Sequence, residues 1–309
     1  MESEKALFNW FPGHMNKAIK EIQNQIPVVD LIIEIVDARA PYSSQNPIFK
    51  RILATKSKLI IFTKCDLADQ KVVESWKNYF ESNGNFVFLI KNKSVPILND
   101  VVKLINQITL AKQNRDKSRG IVNPQINVLV IGVPNVGKST VISRLSKGKE
   151  LKIGNKPGVT RGMQRISLDK NITLIDTPGI LPSKFSSEKE AINLAAINAI
   201  KREVLPQERF VFLILQNLYN NYKGALENYF GEKLFFERPI TQEDTIKILE
   251  LTAMKNKWAI LDGVWDIERV MEVFIIDLFK HKIPNISFEN PQFLIDESKI
   301  PNLINEISQ

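Results

Sequence analysis

With 309 residues, 44% of them hydrophobic and 25% charged, the chain has enough apolar mass for two domains and too much to stay unfolded as a whole. Its one cysteine, Cys65, excludes an internal disulfide, and the acidic start Met1-Glu2-Ser3-Glu4 is not the pattern of a secretory leader. No apolar run reaches the roughly 18 residues that a membrane span needs, so a reducing, cytoplasmic setting without membrane insertion is expected.

The net charge of +8 is unevenly spread: residues 1–200 carry 29 Lys and Arg against 17 Asp and Glu, whereas residues 201–309 carry 13 against 17. The basic surplus is densest over residues 101–170, where Lys112, Arg115, Lys117, Arg119, Arg144, Lys147, Lys149, Lys152 and Lys156 suggest a polyanion such as nucleic acid.

In chain order, Asn9-Trp10-Phe11-Pro12-Gly13-His14-Met15 reads as an aromatic-rich turn, followed by an amphipathic helix over 16–25 that Pro27 ends. His14, one of only two histidines, sits beside the Pro-Gly turn; the residues alone fit a packing histidine or a ring presented to a ligand. Residues 30–37 form an apolar run that reads as a buried strand, and the Ala38–Pro47 loop leads to a short helix over 47–54. The next strand, 58–62, empties into Thr63-Lys64-Cys65-Asp66. A strand ending in [NT]-K-x-D is the guanine-selecting element of GTPases: the carboxylate of Asp66 would accept from guanine N1–H and the 2-amino group, which adenine cannot match, and Lys64 would lay its stem along the base. A helix over 72–83, a strand over 85–90, a helix over 97–113 and a polar connector over 114–125 follow.

The strand 126–131 then enters Gly132-Val133-Pro134-Asn135-Val136-Gly137-Lys138-Ser139, a G-x-x-x-x-G-K-[ST] phosphate loop, with a helix leaving it from Ser139 to Lys147. In such a loop the backbone N–H groups from Asn135, Val136 and Gly137 through Lys138, Ser139 and Thr140 converge on phosphate at a helix N-terminus. Lys138 neutralises the β- and γ-phosphates, and the Ser139 hydroxyl can ligate Mg²⁺. Downstream, Thr160 in the basic loop 155–161 suits a switch that brings its hydroxyl to Mg²⁺ and its N–H to the γ-phosphate. Strands over 164–168 and 172–175 end in Asp176-Thr177-Pro178-Gly179, where Asp176 would hold Mg²⁺ through water and the Gly179 N–H would reach the γ-phosphate.

The order of these parts departs from that of Ras-like enzymes, in which the phosphate loop comes first and the guanine-selecting element last. The expected fold is therefore α/β: a circularly permuted Ras-like P-loop GTPase domain with a mostly parallel sheet over residues 1–182, followed by an all-helical C-terminal domain over 183–309. In that second part, helices over 188–202 and around Ile267, Val270, Met271, Phe274 and Leu278 carry apolar faces at helical spacing.

The six motifs Trp10–Met15, Asp37–Pro41, Thr63–Asp66, Gly132–Ser139, Pro157–Thr160 and Asp176–Gly179, in this order, closely resemble those of the bacterial ribosome biogenesis GTPase A family. The resemblance covers essentially the whole chain. It implies a GTP hydrolase, stimulated by the large ribosomal subunit, that binds late precursors of that subunit through rRNA and ribosomal proteins and leaves on hydrolysis. The other reading is a GTP-gated RNA- or protein-binding module with incidental hydrolysis. GTP or GDP, Mg²⁺ and K⁺ are the implied ligands, K⁺ through Asn135, and a monomer is expected. Ile180 stands where Ras-like enzymes have the glutamine that orients water, so the resemblance places the catalytic role on His14, acting with Lys138. Thr63 for asparagine, and Lys280-His281-Lys282-Ile283-Pro284 in place of a glycine-rich turn, are departures from the family pattern.

Overall fold

The computed structural model describes residues 13–146, 163–201, 204–260 and 263–292, with the backbone alone for Gly13 and His14. Six strands build one sheet: β1 (Leu31–Asp37), β2 (Ser57–Thr63), β3 (Phe86–Leu89), β4 (Ile126–Ile131), β5 (Gln164–Asp169) and β6 (Ile172–Asp176), side by side in the order β3-β2-β1-β4-β6-β5. Every neighbouring pair is parallel except β5 with β6. All seven residues of β1 are buried, as an apolar run covered on both faces of a parallel sheet requires. Of its two charges, Glu34 is answered by Lys58 Nζ at 2.7 Å and Gln45 Nε2 at 2.9 Å.

The phosphate-loop strand β4 is central. The strands that precede it in the chain lie on one side and those that follow it lie on the other, which is the arrangement expected of a permuted sheet. The connector between the two sets is more helical than its sequence suggests. The expected helix over 97–113 is two, α4 (Leu98–Ile108) and α5 (Leu110–Ser118), and the second continues into the polar stretch. Thr109 makes the break: it leaves helical geometry, and both its N–H and its hydroxyl turn back to Ile105 O.

Around the sheet pack α1 (Gly13–Gln25), α2 (Pro47–Ile52), α3 (Gln70–Ser82) and α6 (Lys138–Leu145). Helices α7 (Glu188–Ala196), α8 (Gln207–Phe230), α9 (Gln242–Asn256) and α10 (Ile267–Phe279) follow. Helix α7 stops six residues before the expected Arg202. Asn198 adopts φ +60, and the N–H groups of Asn198 and Ala199 close back on Ala195 and Leu194, a left-handed helix end. Buried residues run without a gap from Ile22 and the sheet through Leu194 and Ala195 to Leu215 and Phe274. The helical part therefore shares its core with the sheet, and α7 is the seam. A smaller cluster built on Phe62, Trp76 and Phe80 fills the space beneath α3.

After α10 the chain turns back as a strap along the sheet domain. Ile286 N–H bonds Leu67 O at 3.3 Å, Ser287 Oγ accepts from Asp69 N at 3.2 Å, and Phe288 N–H bonds Arg39 O at 2.7 Å. Trp76 Nε1 closes on Glu289 O at 3.1 Å. The Glu289 carboxylate is buried among the Tyr42 and Ser43 amides, the Ser43 hydroxyl and Asn193 of α7. Among the described residues no helix is long and apolar enough to cross a membrane.

Candidate functional site

In open α/β sheets, ligands bind beyond the carboxyl ends of the strands. Here β1, β2, β4 and β6 end at one edge: the register sets Asp37 beside Thr63 and Val130 beside Asp176, and Ile131 leads into the phosphate loop. Three motifs separated by up to 116 positions in the chain thus meet at one sheet edge.

The phosphate loop is shaped by close approaches. A Cβ on Gly132 would stand 2.8 Å from Ile35 O, and Gly137 has φ +95, so both positions require glycine. A Cβ on Gly179 would meet Pro134 Cα at 3.1 Å, which places the Asp176–Gly179 turn directly against the loop. Val136 is buried and offers only its backbone, while Ser139 and Thr140 are exposed in the first turn of α6.

Lys138 and Asp176 form a buried ion pair across the loop. Burial raises the Asp176 carboxyl above the usual carboxylate range, and Lys138 offsets part of that shift. The glycine cradle, the buried lysine and the Ser139 and Asp176 oxygens are a donor and acceptor set that fits a nucleoside triphosphate with Mg²⁺: amides and ammonium for phosphate, hard oxygens for the cation.

At the other motif, Thr63 does not face outward. Its hydroxyl reaches Val36 O at 3.0 Å and lies equally within reach of Val136 O, so it ties β1 and β2 to the phosphate loop. Lys64 takes φ +55 and extends its Nζ to Asn135 O at 2.8 Å and to Asp37 Oδ2 at 2.8 Å. Asp66 is one-third exposed and pairs with Lys93 at 2.8 Å; this surface pair is worth about 1 kcal/mol at most, so a base edge can replace Lys93. Cys65 is buried, and its thiol is pushed up to about 12, chiefly by burial and then by Asp37 and Asp66, which leaves it unreactive. The Asn135 side chain, expected to hold K⁺, donates to Asn198 O at 2.7 Å and so touches the end of α7.

Of His14 only the backbone is described, in the first turn of α1, and Thr160 lies outside the described residues. Ile180 is fully buried, with its carbonyl accepting from Asn46 Nδ2 at 2.9 Å, so the position after Gly179 belongs to the core. Of the basic residues singled out for a polyanion, Arg115, Lys117 and Arg119 are exposed on and just beyond α5. Lys112 is engaged with Asp30 and Asp116, and Arg144 with the carbonyls of Asn92 and Val95. Lys147, Lys149, Lys152 and Lys156 lie outside the described residues.

Asp37, Arg39, Asn198 and His281, to which the sequence assigned no role, also stand at the site. Arg39 is bidentate to Asp37, with Nε–Oδ1 3.0 Å and Nη2–Oδ2 2.8 Å. Its remaining Nη1 lies 3.3 Å from Nδ1 of His281. Arg39, Lys64, Asn135, Asn198, Phe279 and His281 line a cavity of about 140 Å³ between the loop and the helical part. Asp37 and Arg39 fall in the Asp37–Pro41 motif and His281 in the departure at 280–284, but none of the three revealed a role there, and Asn198 carries no sequence signal.

Comparison with known proteins gives four concordant matches. The profile of a family described as 50S ribosome-binding GTPase matches residues 127–239, beginning at β4, so that Thr63–Asp66 falls before it in the chain. The chain is 34% identical over 283 residues to ribosome biogenesis GTPase A of Bacillus pumilus, covering 92% of this chain and 98% of that one. It is 34% identical over 286 residues to the protein of the same name from Bacillus licheniformis, covering 93% and 99%. Among solved structures, GNP-bound YlqF from Thermotoga maritima superposes with a TM-score of 0.56 at 27% identity, covering 89% of this chain and 98% of that one.

Proposed function

The chain belongs to the ribosome biogenesis GTPase A family, and from that premise we propose that it is a GTP-operated switch on late precursors of the large ribosomal subunit, its hydrolysis stimulated by that subunit and coupled to precursor maturation and its own release. The observation that carries this reading is the convergence of Lys138, Asp176 and Gly179 with Lys64 and Asp66 at one sheet edge.

In this reading Asp66 accepts from the guanine edge and Lys64 flanks the base, while Thr63 holds the phosphate loop in register with both. Lys138 leaves Asp176 for the β- and γ-phosphates, where its charge offsets what develops on the transferring group. Asp176, Ser139 and Thr160 are the groups that would hold Mg²⁺, which when bound supplies Lewis-acid stabilisation to the phosphate oxygens. Asn135 would turn from Asn198 to hold K⁺. His14 orients the attacking water, the task that buried Ile180 cannot perform. The Thr160 loop and Gly179 sense the γ-phosphate, and Gly179 is eight positions before Ser187, the cap of α7, so the nucleotide state has a short route to the helical part.

The working division is a GTPase domain through residue 182 and a helical domain from 183. The exposed basic residues of the first part meet rRNA, and the acidic second part meets ribosomal protein. The protein acts as a cytoplasmic monomer between rounds of binding.

The test is GTP hydrolysis in K⁺ and in Na⁺ buffer, with and without purified large ribosomal subunits, beside a His14→Ala variant and an ATP control. Stimulation by subunits that is lost in His14→Ala and absent with ATP supports the switch. Tight GTP binding with no stimulation overturns it in favour of a nucleotide-gated binding module whose hydrolysis is incidental. Equal rates in the two salts remove the K⁺ role of Asn135.

A further inference from the structure

The Asp37 carboxylate is fully buried at the end of β1 and is contacted from two directions. Arg39 occupies it through its own N–H at 3.0 Å and through both arms of its guanidinium. Lys64 Nζ reaches Oδ2 from β2 at 2.8 Å, a contact possible because the β1–β2 register sets Asp37 directly beside Thr63, the residue before Lys64. Lys64 holds a left-handed backbone conformation, and its Nζ is shared between Asp37 and the phosphate-loop carbonyl of Asn135. A free lysine side chain samples many rotamers, and holding it in one costs entropy. One anchored in this way by a buried carboxylate has spent that entropy before ligand arrives.

We propose that Asp37 is a positioning residue for nucleotide binding: it fixes the Lys64 stem in the conformation that receives the guanine nucleotide, and Arg39 fixes Asp37. The arrangement does not end there. Arg39 Nη1 donates toward His281 Nδ1, and Arg39 O accepts from Phe288 N, so the strap after α10 grips the same arginine from both ends. Nucleotide affinity is therefore set partly by residues of the helical part that need not touch the nucleotide. The inference rests on the reading of Lys64 as a nucleotide-contacting residue.

The experiment is a double-mutant cycle on the full chain, read as the Kd of a fluorescent GDP analogue: wild type, Asp37→Asn, Lys64→Met and the double variant. Asp37→Asn is expected to weaken binding about tenfold in the wild-type background and less than about twofold when Lys64 is already methionine. The single-turnover hydrolysis rate of bound GTP should stay within about twofold of wild type, since the effect is on binding and not on the chemical step.

Because Asp37→Asn strands a buried guanidinium, the cycle is repeated with Asp37→Asn/Arg39→Gln in its place, which removes both buried charges together. Equal losses in the two backgrounds would mean that Asp37 matters only as part of the fold, and would overturn the proposal while leaving the GTPase reading intact. Failure of the wild-type chain to bind any guanine nucleotide would overturn both.

Discussion

Two buried aspartates, Asp37 and Asp176, end strands at the same sheet edge, and their surroundings differ in kind. Asp37 receives three N–H groups of Arg39 and the ammonium of Lys64; burial alone would raise its carboxyl, but these cations hold it below the usual carboxylate range. Among the described residues Asp176 faces one cation, Lys138, and its carboxyl stays above that range because burial outweighs the pairing. Asp37 is a finished site in which every oxygen is used by the protein. Asp176 is paired with the residue that the phosphates would claim, so its partner is exchangeable. The lesson is that burial alone does not separate the two roles: an exchangeable partner marks the group that would meet ligand, and a fixed one marks the group that positions it.

The largest effect expected is at the exchangeable pair. Lys138→Ala should lower kcat/KM for GTP on the order of 10³-fold, measured by phosphate release, because in the proposed reading it removes the charge that meets the transferring phosphoryl group. Near wild-type turnover would erase the distinction drawn between the two aspartates.

At the finished site the loss should be in stability. Arg39→Ala removes the bidentate partner of a buried carboxylate and should cost about 3–5 kcal/mol in urea unfolding. A cost below about 1 kcal/mol would mean that Lys64 alone satisfies Asp37.

Glu289 extends the comparison to the strap. Burial raises its carboxyl to about 7 from an ordinary 4.5, against the opposing hydrogen bonds of Ser43, Tyr42 and Asn193. Its folded-state value lies above the unfolded one, so the native state binds the extra proton between pH 4.5 and 7, and stability falls as pH rises through that window. The full difference is roughly 3 kcal/mol, and Glu289→Gln should flatten the dependence of Tm on pH over that range. Retention of the wild-type slope in the variant would place the titrating group elsewhere. His281 acts with the opposite sign: burial first, then Arg39 and Lys64, lower its imidazole below 6.5, so its contribution is lost as pH falls below that value. His281→Gln should blunt that acid limb.

The smallest effect belongs to Thr63. Thr63→Val keeps the shape but removes the hydroxyl that joins the guanine-side strand to the phosphate loop, at a cost of about 1 kcal/mol, seen as a nucleotide affinity some fivefold weaker. No change in affinity would show that sheet register alone holds the loop.

Much of the site was legible because its motifs are local. Gly132 and Gly137 write a backbone path, Lys138 and Ser139 follow from it, and Asp176-Thr177-Pro178-Gly179 closes a strand; each depends on residues within eight positions. The strands were legible for a related reason: a parallel strand buried on both faces is an unbroken apolar run. Helix ends were read less well, since Thr109 and Asn198 break their helices through hydrogen bonds that propensity does not encode.

What the sequence by itself determined, then, is the kind of ligand, the permuted order of the nucleotide motifs and the existence of a helical second part. Only the tertiary structure decided that Thr63 is a tie between strands, that Asp37 anchors Lys64, that Asn135 reaches the end of α7, and that Arg39 and Ser43 bind the returning strap. The physical reason is distance along the chain. Arg39 and His281 are 242 positions apart, and Ser43 and Glu289 are 246. Such partners are set by sheet register and by where a helix stops, and neither is written in the residues that finally touch.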